Sequence, residues 1–381
     1  MPRLKIISLT LIRAVMTTAH RMIYPFLAVF ARGLGVDISA ISELVAYRAI
    51  VGALDPFLFP FLEPRGRKFG MLLGLGFFTG AMAVVALWPS LWTLGLALIL
   101  ALTGRAFFDP SMQAYIGDQI PYERRGTTIA FTEFSWSLAF ILGIPAIGLL
   151  IARLSWSAPF IALGVLGALA FAVIAFTLHD TAKPSRHADG VFGNLRQIFT
   201  SPPVLATVAI GMCAAMANEV INLMFGVWLE DSFQLKIAAL AGASAVIGLS
   251  ELGGEGLVAV FADRLGKVRA TGLGFAVNCV AALLLPIIGR TEVGALAGLF
   301  LFYISFEFTI VSLIPLISEI MPAARATTLS VGGAAQSLGR AVGALLAPTL
   351  YAFGFPMTAG AAILINLVGL AAVWYVGKHH S

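Results

Sequence analysis

Thirteen ionisable side chains stand where the surrounding sequence is apolar: Arg13, Arg21, Arg48, Arg105 and Arg340, with Glu43, Asp55, Asp109, Glu133, Glu219, Glu251, Glu255 and Glu307. In such surroundings these types do two things. A carboxylate takes up or releases a proton as its neighbours change, and a guanidinium neutralises a carboxylate or binds an anion. Nucleophilic and metal chemistry have little to work with, because His20 is the only histidine inside an apolar stretch and neither H-E-x-x-H nor G-x-S-x-G occurs. A phosphate-cradling G-x-x-x-x-G-K-[ST] loop is absent as well. The expectation is a protein that is not an enzyme, with no cofactor and no metal.

What must position these groups is a membrane-embedded helical scaffold. Of 381 residues, 59% are hydrophobic and 11% charged, against roughly 25% charged in soluble domains. Apolar runs long enough to cross a bilayer recur along the chain, predicting twelve spans at 6–31, 38–61, 69–88, 91–116, 127–152, 157–178, 204–229, 237–261, 270–288, 294–318, 327–352 and 354–376. The first run carries Arg13 and Arg21 where a cleavable signal would be uncharged, so the N-terminus is expected to be retained. Cys213 and Cys279 fall inside spans, which argues against a framework disulfide.

With both termini cytoplasmic, fifteen Lys and Arg fall in inner loops and tails, whereas the outer loops hold only Arg32, Arg153, Lys236 and Arg290. That asymmetry sets the expected orientation. The same distribution explains the net charge of +5 without a nucleic-acid partner. The polar, basic stretch 179–203 reads as a cytoplasmic linker between a first half, 1–178, and a second, 204–381, with "GNLRQIF" forming a short helix on the membrane surface.

The halves repeat. "FLEPRGRKFG" (61–70) and "FADRLGKVRA" (261–270) occupy equivalent places 200 residues apart; "DQIPYERRGTT" (118–128) and "SEIMPAARATT" (318–328) follow with one residue of slippage. "VFADRLGK" (260–267) resembles the loop signature of the major facilitator superfamily, and "FPFLEPRGRK" (59–68) is a degraded copy. The resemblance implies a fold of twelve transmembrane helices in two pseudo-symmetric six-helix bundles, with helices 1, 4, 7 and 10 lining a cavity. It also implies a cytoplasmic gate at Glu63, Arg67, Lys68, Asp263, Arg264 and Lys267.

Composition gives a compatible picture by a separate route. None of the thirteen charges lies in spans 3, 6, 9 or 12, and a helix facing lipid carries a charge only at high cost. Those four spans are therefore expected outside. Arg13, Thr17, His20 and Tyr24 run down one helical stripe with Arg21 beside it; Arg48, Gly52 and Asp55 form another, and Gln336 and Arg340 a third. Arg105 and Asp109, at i and i+4, either neutralise each other or serve proton movement, as the resemblance of "ALTGRAFFDP" to the family's fourth helix implies. Glu133, Trp136 and Phe140 place an apolar wall beside an acid on span 5.

The functional expectation is a monomeric secondary transporter in the lipid bilayer, moving a small organic solute by alternating access with protons as coupling ion. Candidate substrate and coupling residues are His20, Arg21, Tyr24, Arg105, Asp109, Glu133, Trp136, Glu219, Asn222, Glu251, Glu307 and Arg340. "LGIPAIGLL" (142–150) partly matches the exporters' fifth-helix pattern, and aromatic residues share these spans with the charges, so efflux of an amphiphilic, drug-like compound leads. Uptake of an organic anion is the alternative within transport, and a non-transporting sensor the alternative outside it. The repeat also sets Arg21 over Glu219, opposite charges at equal depth, as a candidate proton switch.

Overall fold

The computed structural model describes residues 3–55, 65–120, 122–179, 195–321 and 325–379. Its helices are α1 Arg3–Arg21, α2 Leu27–Leu34, α3 Ile38–Gly52, α4 Arg67–Leu87, α5 Leu91–Gln119, α6 Tyr122–Leu138, a π-helical turn Ala139–Gly143, α7 Ile144–Arg153, α8 Ala158–Thr177 and α9 Leu195–Thr200. They continue with α10 Pro202–Phe233, α11 Ile237–Leu265, α12 Lys267–Ile288, α13 Glu292–Ile320, α14 Arg325–Ala352 and α15 Phe355–His379. The protein is an all-α membrane protein, with no strand among the described residues.

These helices account for the twelve spans. Two spans are interrupted, each for a local reason. Span 1 is split between α1 and α2 over residues 22–26, where Pro25 lacks the amide hydrogen a continuous helix would use. Span 5 passes from α6 through the π turn into α7, with Pro145 just beyond it. Among the described residues, nine segments are both long and apolar enough to cross a membrane. Span 1 falls short because it is broken and carries Arg13, His20 and Arg21; span 2 is described as helix only to Gly52; and α14 is rich in Gly, Ala, Ser and Thr. The short linker helix, α9, buries Ile198 and exposes Phe199.

Two compact units divide the chain. The first comprises Met1–Asp37, Leu54–Arg186 and Ile237–Gly248; the second comprises Ile38–Ala53, His187–Lys236 and Leu249–Ser381. Membrane helices gain little from apolar burial against one another and associate where small residues let backbones approach. In the first unit α4 and α5 cross at such a point: a Cβ added to Gly74 would lie 2.4 Å from the Gly104 carbonyl oxygen, and one on Gly104 would lie 2.6 Å from that of Gly74. In the second unit Gly274, exactly one repeat later in α12, is pressed against Thr309 of α13, while Gly339 and Gly343 seat α14 on Met212 and Met216 of α10.

The repeat extends to how helices begin. Gly66 and Gly266 precede α4 and α12 with φ of 99° and 78°, values that only glycine adopts without strain. Ser90 accepts from the amide of Thr93 at the start of α5, and Thr291 from that of Gly294 at the start of α13, each satisfying an orphan donor of a helix N-terminus. The outer spans 6, 9 and 12 expose uncharged side chains: Val165, Leu169 and Phe176 on α8, Leu273, Val280 and Leu283 on α12, Leu364 and Val368 on α15. Their inward faces are not uniformly apolar. Asn366 of α15 donates to Asn278 of α12 at 2.7 Å, and Asn278 donates to Ser305 and the Phe302 carbonyl of α13 at 2.9 and 2.8 Å.

Gly74→Ala is expected to destabilise the protein by about 1–3 kcal/mol through overpacking, whereas Gly76→Ala, which meets nothing within 4 Å, should hold or raise stability, by up to about 1 kcal/mol from helix propensity. Thermal unfolding of the two variants in detergent measures the contrast.

Candidate functional site

Three elements of the first unit turn polar faces toward one another. On α1 the face runs through Arg13, Thr17 and His20; on α5 it is Arg105, Asp109 and Gln113 at i, i+4 and i+8; on α6 and the π turn it is Glu133, Trp136 and Phe140. Pro110 follows Asp109 inside α5 and removes the amide that would bond back to the Ala106 carbonyl, loosening the helix beside the carboxylate. Gly143 of the π turn fits against Thr18, since a Cβ there would lie 2.1 Å from the threonine hydroxyl. That close approach sets Arg21 beside Trp136 and Phe140.

Arg13 is the hub. Its Nε lies 3.3 Å from Asp109 Oδ1 and its Nη1 2.8 Å from Glu133 Oε1, and Nη1 also donates to the Thr132 carbonyl at 3.1 Å. Asp109 uses its other oxygen for Arg105, whose Nη2 is 3.1 Å away. The i, i+4 pair expected on span 4 is thus present, but it belongs to a lattice joining α1, α5 and α6. Gln113 donates to Glu133 at 3.5 Å. Arg13 is 4% exposed and Arg105 7%, so these charges are held by one another rather than by water.

Aromatic rings complete the cluster. The guanidinium carbons of Arg21 and Arg105 each stand 4.5 Å from the centroid of Trp136, and that of Arg21 is 4.2 Å from Phe140, distances at which a cation is attracted by the ring face. His20 meets Trp136 edge-on at 6.5 Å. Tyr24 lies in the break between α1 and α2 and is buried. Arg105 Nε, Thr17 Oγ1 and Ser135 Oγ are buried without a hydrogen-bond partner among the described residues, three polar atoms that a bound solute or water can satisfy.

The remaining expected residues belong to the second unit. Glu219, 1% exposed, and Asn222 lie one turn apart on α10; Gly343 of α14 is pressed against Glu219, and Asn222 accepts from the Tyr303 hydroxyl at 2.7 Å. Glu251 is buried on α11, and Gly254 of the same helix abuts Glu307 of α13. Arg340 is half-buried on α14.

Of the loop-signature residues, Glu63 lies outside the described residues, as does the side chain of Asp263. Arg67 pairs with Asp118 at 3.4 Å, Lys68 donates to the Ala175 carbonyl at 2.7 Å, Lys267 pairs with Glu319, and Arg264 is exposed. Arg67–Asp118 and Lys267–Glu319 are repeat equivalents, each joining the start of one helix to the end of the next within one unit. Arg13, Gln113, Phe140 and Tyr303 were not among the expected site residues. The stripe through Arg13 and the i, i+4 spacing of Asp109 and Gln113 were the available signals.

An all-helical membrane scaffold built on a repeated plan, with a paired ionic interior in its first unit, defines a polytopic carrier-type protein. The chain belongs to the Major Facilitator Superfamily, whose family profile it matches over residues 9–344. It is 23% identical over 368 residues to the uncharacterized MFS-type transporter YwfA of Bacillus subtilis, covering 94% of this chain and 88% of that one. Inner membrane transport protein YdhP of Escherichia coli is 24% identical over 84% of this chain and 81% of its own length. The quinolone resistance protein NorA of Staphylococcus aureus is 26% identical over about half of each chain, 51% and 52%. In structure, a bacterial homologue of the human lysosomal transporter Spinster, inward-facing and occupied, matches with TM-score 0.79 at 15% identity, covering 98% of this chain and 96% of that one. The peptide transporter POT in complex with sulfate matches with TM-score 0.78 at 14% identity, covering 98% and 95%. At such identities these likenesses concern the fold.

Arg13→Gln leaves Glu133 without its cation and takes one of two cations from Asp109, and is expected to cost about 3–5 kcal/mol of stability, whereas Arg13→Gln combined with Glu133→Gln, which keeps the Arg105–Asp109 pair, should recover most of the loss. Unfolding in detergent of the single and double variants checks both.

Proposed function

We propose that this transporter exports an amphiphilic, drug-like solute by alternating access, driven by protons. The observation that carries this reading is the Trp136 ring faced by two guanidiniums, next to Asp109, Glu133 and the unsatisfied Arg105 Nε. It offers a planar apolar surface and hydrogen-bonding charge in one place, the combination an amphiphile needs. The partial similarity to a protein named for quinolone resistance supports efflux.

In this reading His20, Arg21, Tyr24, Arg105, Asp109, Glu133 and Trp136 are the candidate solute and coupling residues of the first unit, and Asn222, Glu251, Glu307 and Arg340 those of the second. Glu219 carries the proton, gaining and losing it as its cationic surroundings change through the cycle, and Arg21, its repeat equivalent, is the cation proposed to act on it. The six-span halves 1–178 and 204–381 are the moving bodies, joined by the linker 179–203. Arg67, Lys68, Arg264 and Lys267, with Glu63 and Asp263, form the gate. Fifteen inner against four outer cations support a reading with both termini in the cytoplasm, and bacterial relatives such as YdhP favour an inner membrane. The protein works as a monomer, with solute, proton and bilayer as its partners.

A second reading, proton-coupled uptake of an organic anion, draws on the same cluster, in which Arg13 and Arg105 hold two carboxylates and Arg21 stands over the adjacent Trp136 ring.

The test is accumulation of fluorescent amphiphiles by cells producing the protein. Export predicts low accumulation that rises when an uncoupler is added; uptake predicts the reverse. Glu219→Gln should abolish proton-driven transport and keep solute exchange, and Arg21→Glu with Glu219→Arg should regain activity that neither single change retains. A Glu219→Gln variant transporting with unchanged pH dependence would overturn the proton assignment.

A further inference from the structure

The polar cluster accounts for the charged interior of the first unit but not for a groove on its outside. Between the beginning of α1 and the end of α8 lies a cavity of about 260 Å³, lined by Leu4, Lys5 and Ser8 on one side and by Val173, Ile174 and Thr177 on the other. Its volume is below the roughly 300–1,000 Å³ of sites that enclose drug-sized ligands. The helix beside it exposes Val173 and Phe176, and α8 is one of the spans whose outer face carries no charge, so the groove opens toward lipid.

Three polar groups interrupt its apolar walls, and their chemistry is specific. Lys5 has no carboxylate within ion-pair distance among the described residues, so it presents a cation on a flexible stem at the end of a span, where such side chains reach the headgroup layer. The two hydroxyls are committed elsewhere. Ser8 Oγ donates to the Leu4 carbonyl at 2.9 Å and Thr177 Oγ1 to the Val173 carbonyl at 2.6 Å. Each has spent its hydrogen inside its own helix and offers only lone pairs outward. Lys68, donating to the Ala175 carbonyl at 2.7 Å, fixes the last turn of α8 that carries Thr177.

One cation, two acceptors and an apolar trough ask for an amphiphile bearing an anion and an N–H donor together. A phosphodiester alone would leave the hydroxyl oxygens facing an anion, and a trimethylammonium headgroup has no hydrogen to give them. We infer that this groove binds a bilayer phospholipid with a primary ammonium headgroup. Its phosphodiester lies on Lys5, its ammonium on the oxygens of Ser8 and Thr177, and an acyl chain runs along Leu4, Val173 and Ile174. The inference needs only that the chain spans a membrane and is independent of the solute and coupling proposed above.

The experiment is native mass spectrometry of the purified full-length protein after exchange into detergent containing equal amounts of phosphatidylethanolamine, phosphatidylglycerol and phosphatidylcholine with identical acyl chains. The expected result is retention of phosphatidylethanolamine over each of the others by roughly threefold, the ratio that one net hydrogen bond supports. Lys5→Gln should lower retention of all three lipids, which share the phosphodiester, without changing their order. Ser8→Ala with Thr177→Val should erase the advantage of phosphatidylethanolamine over both of the others while leaving binding through Lys5, which keeps the test valid if either variant folds poorly. Equal retention of the three lipids by the wild-type protein, preference for phosphatidylglycerol, or a well-folded Ser8→Ala, Thr177→Val protein with unchanged preference would each overturn the inference.

Discussion

A guanidinium in the interior of a membrane protein must be matched, and much of the first unit is arranged around matching Arg13. The cost of an unpaired charge in hydrocarbon is several kcal/mol or more. Here it is met by Asp109 from α5 and by Glu133 and the Thr132 carbonyl from α6. Because the donor and its three acceptors come from three helices, their packing is fixed by electrostatics as well as by shape. Arg105 is tied into the same arrangement through the second oxygen of Asp109. The lattice therefore sets where Trp136 stands.

Lattices of this kind need helices that come close without apolar attraction to draw them together. The reciprocal contact of Gly74 and Gly104 does this between α4 and α5, and Gly143 does it between the π turn and α1. Both irregular stretches of the first unit, the break at 22–26 and the π turn at Ala139–Gly143, adjoin the residues that carry the ionic and aromatic chemistry. Non-helical backbone at membrane depth is tolerated where protein rather than lipid surrounds it, and π turns are frequent at functional sites. The second unit repeats the plan with different chemistry. Its equivalent crossing is Gly274 on Thr309, and its buried polar network is built from asparagines and a serine.

How much of this was legible in the sequence depends on whether a local pattern or a distant partner decides the outcome. The twelve spans follow from apolar run length, and the paired loops from a 200-residue offset that reappears in the left-handed glycines Gly66 and Gly266. Arg105 and Asp109 were recognisable as an i, i+4 pair because both lie on one helix. The partners of Arg13 were not, since Asp109 lies 96 residues away and Glu133 still further, and a stripe on α1 says which way a side chain points without saying what it meets. The same limit hid Asn278 and Asn366. Spacing cannot reveal that two uncharged polar residues on outer spans face inward to each other. The split of span 5 was not read from the sequence, where Pro145 served only as part of the exporter-like pattern; the π turn precedes that proline, and its Gly143 packs on Thr18.

In the proposed cycle these buried charges exchange protons as the solute comes and goes. It is tested most directly by adding an amphiphile that stabilises the purified protein to a weakly buffered detergent solution containing a pH indicator. The account predicts that solute binding moves protons between protein and solvent, and that Glu219→Gln binds the same solute without moving them. Binding by the wild-type protein that shifts no protons at any pH where it stays folded would contradict it.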